Sequence, residues 1–449
     1  MNKKKKLVFF LLLIALTNCS FDDKTGIWDG SKDERERISE LKERQSEIIS
    51  VDKLYSSENV YKEEKSLIGK IKLSSPKKNL SWEMHALNHQ NFLGNIYLSG
   101  IDSLFLKKKI GKNKFSTTNI KSSPLIYENN IFISDDTGTV FSINQNGKIQ
   151  WKKNIYKKIY KKIYKNLTFS IYKNNIYVAD NIGFIYCISL DTGKLVWIKN
   201  HGIPFKSKMK TFDDKVYLIN QDNRLLAFNI KDGSVIWDIR SISSFIKSQN
   251  FLSVALSKKG DVIASGTSGD LFKVSAINGN VNWSINTLDS LLAHSTDFFS
   301  SSDIVIGDEN IIFSTENSIF SFDLNGGFIN WTKNVSSVAA PIIDNDNIFF
   351  VTENGYFVIA NIGTGEIISS TNILKILKKK KQSTKITGFI MGSGNIYSVT
   401  MNGYLIVSSA SSGKTEKFKK IGDRITSSPI INNGKLFIYT ENSRIFGFN

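Results

Sequence analysis

Cysteine, histidine and carboxylate side chains are the groups that could do chemistry here, and their spacing narrows what that chemistry is. The two cysteines, Cys19 and Cys187, stand far apart, so neither a Cys-x-x-Cys pair nor a vicinal disulfide exists. The four histidines, His85, His89, His201 and His294, are scattered, which argues against a zinc cluster, and no metal site is expected. Cys187 lies within Phe184-Ile185-Tyr186-Cys187-Ile188, where alternation makes it a small core filler rather than a reactive thiol. Asp135, Asp136, Asp180 and Asp191 fall at turn signals, where a carboxylate caps and bends the backbone. No catalytic residue and no cofactor is therefore expected.

The charge balance is basic, with 59 Lys+Arg against 41 Asp+Glu and a formal net charge of +18. Nucleic-acid binding is not implied, because the sequence has neither a recognition-helix pattern nor an aromatic RNP-type motif. Hydrophobic residues at 41% and charged residues at 22% exclude both a disordered chain and a many-span membrane protein. Lys3 to Lys6 are followed by an apolar run over residues 7–15, long enough for export and too short to span a bilayer. The next residues, Leu16-Thr17-Asn18-Cys19, resemble a bacterial lipoprotein box, with Asn18 where Gly, Ala or Ser is usual. That resemblance implies a diacylated Cys19 as the mature N-terminus. Ser20 in place of Asp implies sorting to the outer membrane. Residues 1–18 then form the signal peptide, and residues 19–70 a lipidated N-terminus with a charged flexible tether. As a random coil, about fifty residues span roughly 40 Å.

These few groups are carried by a chain that repeats itself from about residue 120. Each copy is a β-branched and aromatic run, a turn, a second alternating run, a Gly turn, and a strand that often holds Trp. One copy runs from Asn175-Ile176-Tyr177-Val178 to Asp191-Thr192-Gly193-Lys194-Leu195-Val196-Trp197. The recurring tryptophans, at 151, 197, 237, 283 and 331, are 40 to 48 residues apart. That period with about four strands per copy predicts β-propeller blades, each covering its faces with its neighbours. There are eight starts but only seven complete copies, the last beginning at Ser427-Ser428-Pro429 and stopping at Asn449. The expected fold is all-β: an eight-bladed propeller of four-stranded antiparallel blades over residues 71–449, its ring closed by an N-terminal strand. Ile96 to Lys109 supplies the candidate segment, since closure removes exposed edges.

The repeat Asp191-Thr192-Gly193-Lys194-Leu195-Val196-Trp197, with relatives at 147–151, 232–237 and 279–283, resembles the PQQ-like, quinoprotein-type propeller repeat. That superfamily holds quinone-cofactor dehydrogenases and the BamB family of outer-membrane assembly lipoproteins. The lipobox, tether and eight blades are similar to the second. The resemblance implies a non-enzymatic scaffold of the outer-membrane β-barrel assembly complex, facing the periplasm. Its implied partners are the POTRA domains of a BamA-like barrel protein, unfolded outer-membrane protein clients, and the membrane through the lipid anchor. The dehydrogenases need a bound metal ion, a catalytic Asp and usually a vicinal disulfide, which Cys19 and Cys187 cannot form. A quinoprotein-like, PQQ-dependent dehydrogenase or a periplasmic ligand-binding propeller is the alternative reading; an adhesion or envelope-spacer lipoprotein is a third.

In a four-stranded blade, the connection to the next blade shares a rim with the turn between the second and third strands. Four long connections fall on that rim: residues 154–165, 241–251, 288–303 and 373–382. The rim is therefore the expected recognition surface. In the BamB family the loop before the fourth blade carries an apolar and basic cluster that touches POTRA domains, and the next loop contributes aspartates. Carried onto this chain, the cluster falls on Phe245, Ile246 and Lys247. The aspartate pattern matches Ser302-Asp303-Ile304.

Overall fold

The computed structural model describes residues 36–37, 39–40, 61–115, 123–240, 252–266, 270–286, 301–315, 317–381 and 384–449. The expected lipid site Cys19, the expected partner contacts Phe245, Ile246 and Lys247, and residues 1–35 lie outside them.

Eight separate four-stranded antiparallel sheets follow one another along the chain, as the repeat predicts. Blade 1 is typical, with strands Leu125–Tyr127, Asn130–Ser134, Val140–Asn144 and Ile149–Lys153 from the centre outwards. The second and third strands are buried on both faces, being sandwiched between neighbouring blades. The outermost strand alternates exposed and half-buried residues, because one face meets water. Blades 2 to 7 repeat this order, and blade 8 completes the ring.

Closure is supplied by Leu104–Lys109, which pairs antiparallel with the last strand of the chain, Arg444–Phe448. Leu106 stands opposite Gly447 and Lys109 opposite Arg444. Ser103 and Asn449 exchange backbone hydrogen bonds of 3.0 Å, so the closing strand and the last strand are locked into one sheet. The expected closing segment is thus correct in its second half. Ile96 and Leu98 do something else, described below.

The tryptophans make the joints between blades. The Trp151 indole N–H donates to the Leu190 carbonyl of the next blade at 2.9 Å. Its ring occupies the space where a Cβ on Gly193 would come within 2.6 Å. Trp197, Trp237, Trp283 and Trp331 repeat the arrangement on Gly233, Gly279, Gly327 and Gly365. The glycine of each repeat therefore serves two ends: it takes a positive φ in its turn and leaves room for the preceding blade's indole. At the joint between blades 6 and 7 the corresponding contact is the smaller Ser369 against Gly413.

Where that tryptophan is missing, the N-terminal chain lies along the outer edge of the blade. Lys65 and Ser370 exchange backbone hydrogen bonds of 2.9 Å against blade 6's outermost strand, Ile367–Asn372. Residues 61–66, which composition assigns to the tether, are bound to the ring in this way.

Candidate partner surface and the closed channel

The inner strands are short, and their inner edges would leave backbone N–H groups unpaired in the central channel. The chain answers this with its own residues 79–99, which run once around the inside of the ring. The Asn79 amide donates to Ile431 of blade 8 at 2.8 Å. Trp82 then exchanges backbone bonds with Ile126 of blade 1, and the Glu83 carbonyl accepts from Ile171 of blade 2. Lys210 of blade 3 donates to the His85 and Asn88 carbonyls at 2.6 and 2.7 Å. The carbonyls of His89 and Gln90 accept from Leu256 of blade 4 and Ile306 of blade 5. Phe92 and Leu93 pack on the apolar core of blade 6. Ile96 and Ser99 bond to Ser393 of blade 7 and Gly434 of blade 8, completing the circuit. The belt is set into the wall, with Trp82 and Ile96 only 3% and 2% exposed.

On one side of the belt is the rim carrying the hairpins between first and second strands. There a cleft of about 790 Å³ lies between the belt, the crossing residues 74–79 and blades 5 and 6. On the other side is the rim carrying the blade-to-blade connections. A small funnel opens there, floored by Trp82, His85, Ala86 and Leu93 and walled by residues such as Asp303 and Ala340.

Asp303 is the expected site residue that the structure places. It lies just before the inner strand of blade 5, and its carboxylate meets His85 Nε2 at 2.6 Å. Burial would raise its pKa, but His85, Lys208 and Lys210 outweigh burial and hold it at about 2. Burial in turn lowers the pKa of His85 against the pull of Asp303. Lys210, fully buried, is pushed down to about 7 by burial, with Asp303 opposing. Asp303 is thus a fixed negative charge at the funnel wall, with 23% of its side chain exposed. Its neighbour Ile304 is buried, and Ser302 is 6% exposed.

Sequence reading missed His85, Lys208 and Lys210. The signal for the two lysines is the alternation Lys206-Ser207-Lys208-Met209-Lys210 beside a strand: Ser207 and Met209 are fully buried and Lys210 reaches the belt; nothing near His85 marks it. Two of the carboxylates assigned to turns bond to their own turn: Asp135 accepts from the Thr137 and Thr139 N–H groups at 3.0 Å, and Asp180 from those of Ile182, Gly183 and Phe184 at 2.8 to 2.9 Å, whereas Asp136 accepts from the Phe115 N–H and Asp191 from the Asn174 amide. Cys187 is 1% exposed, and burial pushes its thiol up to about 12. Among the described residues no group of three or more His, Cys, Asp or Glu is placed to hold a metal ion. The one channel carboxylate described above is already committed to His85, and the belt fills the channel that a large planar cofactor would need. Among the described residues, those lining the channel do not fit a metal–quinone site.

A family profile described as outer membrane protein assembly factor BamB matches residues 103–197 and 136–371. Comparison with curated proteins gives no match. Among solved structures, BamB from Moraxella catarrhalis aligns with a TM-score of 0.63 at 12% identity, over 77% of this chain and 99% of that one. A europium-containing methanol dehydrogenase aligns with a TM-score of 0.63 at 11% identity, over 81% of this chain and 90% of that one. The quinohemoprotein alcohol dehydrogenase from Comamonas testosteroni gives 0.61 at 10%, over 80% and 76%. At such identities the structural likeness establishes the fold alone. The profile spans more than half of the sequence, and on that ground the chain belongs to the family of the outer membrane protein assembly factor BamB.

Proposed function

We propose that this protein is a non-enzymatic, lipid-anchored scaffold of outer-membrane β-barrel assembly that faces the periplasm. In this reading it binds the POTRA domains of a BamA-like barrel protein through its connection rim and assists insertion of outer-membrane proteins. The observation that carries the reading is the belt. A propeller that fills its own channel with residues 79–99 has its recognition surface on the rim loops, not in a central cavity. Family membership supplies the rest.

The proposed contacts are Phe245, Ile246 and Lys247 in the loop before blade 4, with Asp303 as the acid reached through the funnel. Apolar groups beside a lysine and a fixed carboxylate match the mixed make-up of a modest protein interface. Binding of purified POTRA domains tests this. Phe245→Ala with Ile246→Ala is expected to weaken binding by more than about 1 kcal/mol, the scale that marks an energetically important residue. Lys247→Glu is expected to slow association, most visibly at low salt. Normal binding by the double variant would place the partner on another sector of the ring. Asp303→Ala is a poor test by itself, since it also removes the partner of His85.

A further inference from the structure

The connection rim is electrically one-sided over blades 8, 1 and 2. Lys112, Lys158, Lys161 and Lys162 are exposed there, and no acidic side chain pairs with them among the described residues. Lys114 donates to the Lys161 carbonyl at 3.0 Å, joining the loop after the closing strand to the loop after blade 1. The second loop is a fixed platform. Tyr160 and Ile163 are 2% and 0% exposed, and the Tyr156 hydroxyl donates to Asp180 at 2.5 Å. Its half-buried Ile155, Tyr156 and Ile159 pack on the core, so what this platform offers outwards is positive charge.

The acids that the blades place on the same rim are withdrawn or paired, Asp303 by His85 included, and the exposed Glu36 and Glu40 beside Arg37 have partners of their own. Asp135, Asp136 and Asp180 are buried. Asp423 is held by Arg444 at 2.6 Å, Glu441 by Arg424 at 3.3 Å and Glu353 by Lys385 at 3.1 Å. The hairpin rim is different, with Asp191 and Asp232 exposed and the pairs Lys173–Asp214 and Lys258–Asp308 at its surface.

The N-terminal chain also leaves from the connection rim. Tyr61 is fixed there by the Asn354 amide, which donates to its carbonyl at 2.7 Å. Further towards the N-terminus, Arg37 donates to the carbonyls of Ile182 and Gly202 at 2.5 and 3.0 Å, on the same rim at blades 2 and 3. Unpaired lysines and the described N-terminal residues Arg37 and Tyr61 therefore share one side of the molecule.

We propose that the connection rim over blades 8, 1 and 2 docks on the anionic headgroups of a phospholipid surface. The inference rests on the reading that Cys19 is acylated only for its orientation; the lysine platform exists without it. The contact is electrostatic, so it weakens with salt as screening shortens the reach of each charge. Lys157 is left out of the platform because it already has a partner.

The test uses the full chain carrying Cys19→Ala, made without acylation, and vesicle co-sedimentation. Vesicles of phosphatidylcholine with about a third phosphatidylglycerol are compared with pure phosphatidylcholine at low and high salt. Lys158→Glu, Lys161→Glu and Lys162→Glu together are set against Lys148→Glu, Lys194→Glu and Lys231→Glu, which change net charge equally on the opposite rim. Binding is expected on the anionic vesicles alone, lost at high salt, and reduced at least about 10-fold by the first triple but less than about 2-fold by the second. Equal effects of the two triples, or no binding to anionic vesicles, would overturn the proposal. So would a first triple that loses POTRA binding while keeping vesicle binding, which would make the platform a protein dock. The mass of the native N-terminus separately reports acylation at Cys19, so failure of the anchor and failure of the platform are distinct results.

Discussion

At the scale of single residues, two kinds of position hold the ring: glycines that receive an indole, and charges set in the channel. Gly233 takes φ +71°, and a Cβ there would meet Trp197 Cζ3 at 2.4 Å. Gly202 takes φ +73° with nothing within 4 Å. Gly202→Ala is expected to cost about 1 kcal/mol from backbone strain, and Gly233→Ala at least about 2 kcal/mol more, because the joint must also shift. Urea unfolding checks this, and equal losses would mean that the Trp–Gly contact is not a structural joint. Asp303 gives a prediction in pH. Its folded pKa of about 2 lies below the ordinary carboxylate value, so its ionisation favours the folded state. That contribution, on the order of 2 kcal/mol, is present above about pH 4 and lost as pH falls towards 2. Asp303→Asn is expected to flatten the pH dependence of unfolding free energy in that window; an unchanged slope would show that the His85 contact carries no net energy.

At the scale of elements, the belt and the closing strand are one continuous piece that acts on all eight blades. Trp82 to Gln90 satisfy backbone groups of blades 1, 2, 4 and 5 and accept from the Lys210 side chain of blade 3, and residues 104–109 supply the outer edge of blade 8. Deleting 71–110 therefore removes the channel lining and opens the ring at once, and is expected to abolish cooperative unfolding. Deleting 22–60 is expected to leave the thermal midpoint within a few degrees, since it spares both the belt and the pairing of Lys65 with Ser370. Similar midpoints for the two truncations would contradict this division of labour. The strand-like contact at blade 6 adds a reason for its position: that outermost strand has Ser369 where five other blades have Trp.

At the scale of the molecule, the two rims have different occupations. The hairpin rim is crossed by the chain's own residues 71–79, with Ile71 bonded to Ser411 and Ser74 to Asp344 at 2.9 Å. The connection rim carries the funnel, the lysine platform and the departure of the N-terminal chain. In the proposed reading, one side serves both membrane and partner, in different sectors: the lysines over blades 8 to 2, the proposed POTRA contacts over blades 3 to 5. Because the ring is closed by the hydrogen-bonded pairing of residues 104–109 with 444–448 and of Ser103 with Asn449, the blades that carry those sectors keep fixed relative positions.

The blade count, the four-strand order, the Trp–Gly repeat and the closing strand were legible in the sequence. They depend on local alternation and on a period of 40 to 48 residues, and both survive in any linear reading. The buried Cys187 and the turn role of Asp180 follow from the same local rules. The belt was not legible. Residues 79–99 have no period and little strand propensity, and they are ordered by backbone bonds to inner strands hundreds of residues away, as from Ser99 to Gly434. Nor was the environment of Asp303: the sequence marks a turn-rim acid, while His85, far earlier in the chain, and the stacked lysines of blade 3 fix its charge. Local composition determined the repeating wall; only closure of the ring decided what lies inside it, because contacts across a channel join residues that no sequence window contains.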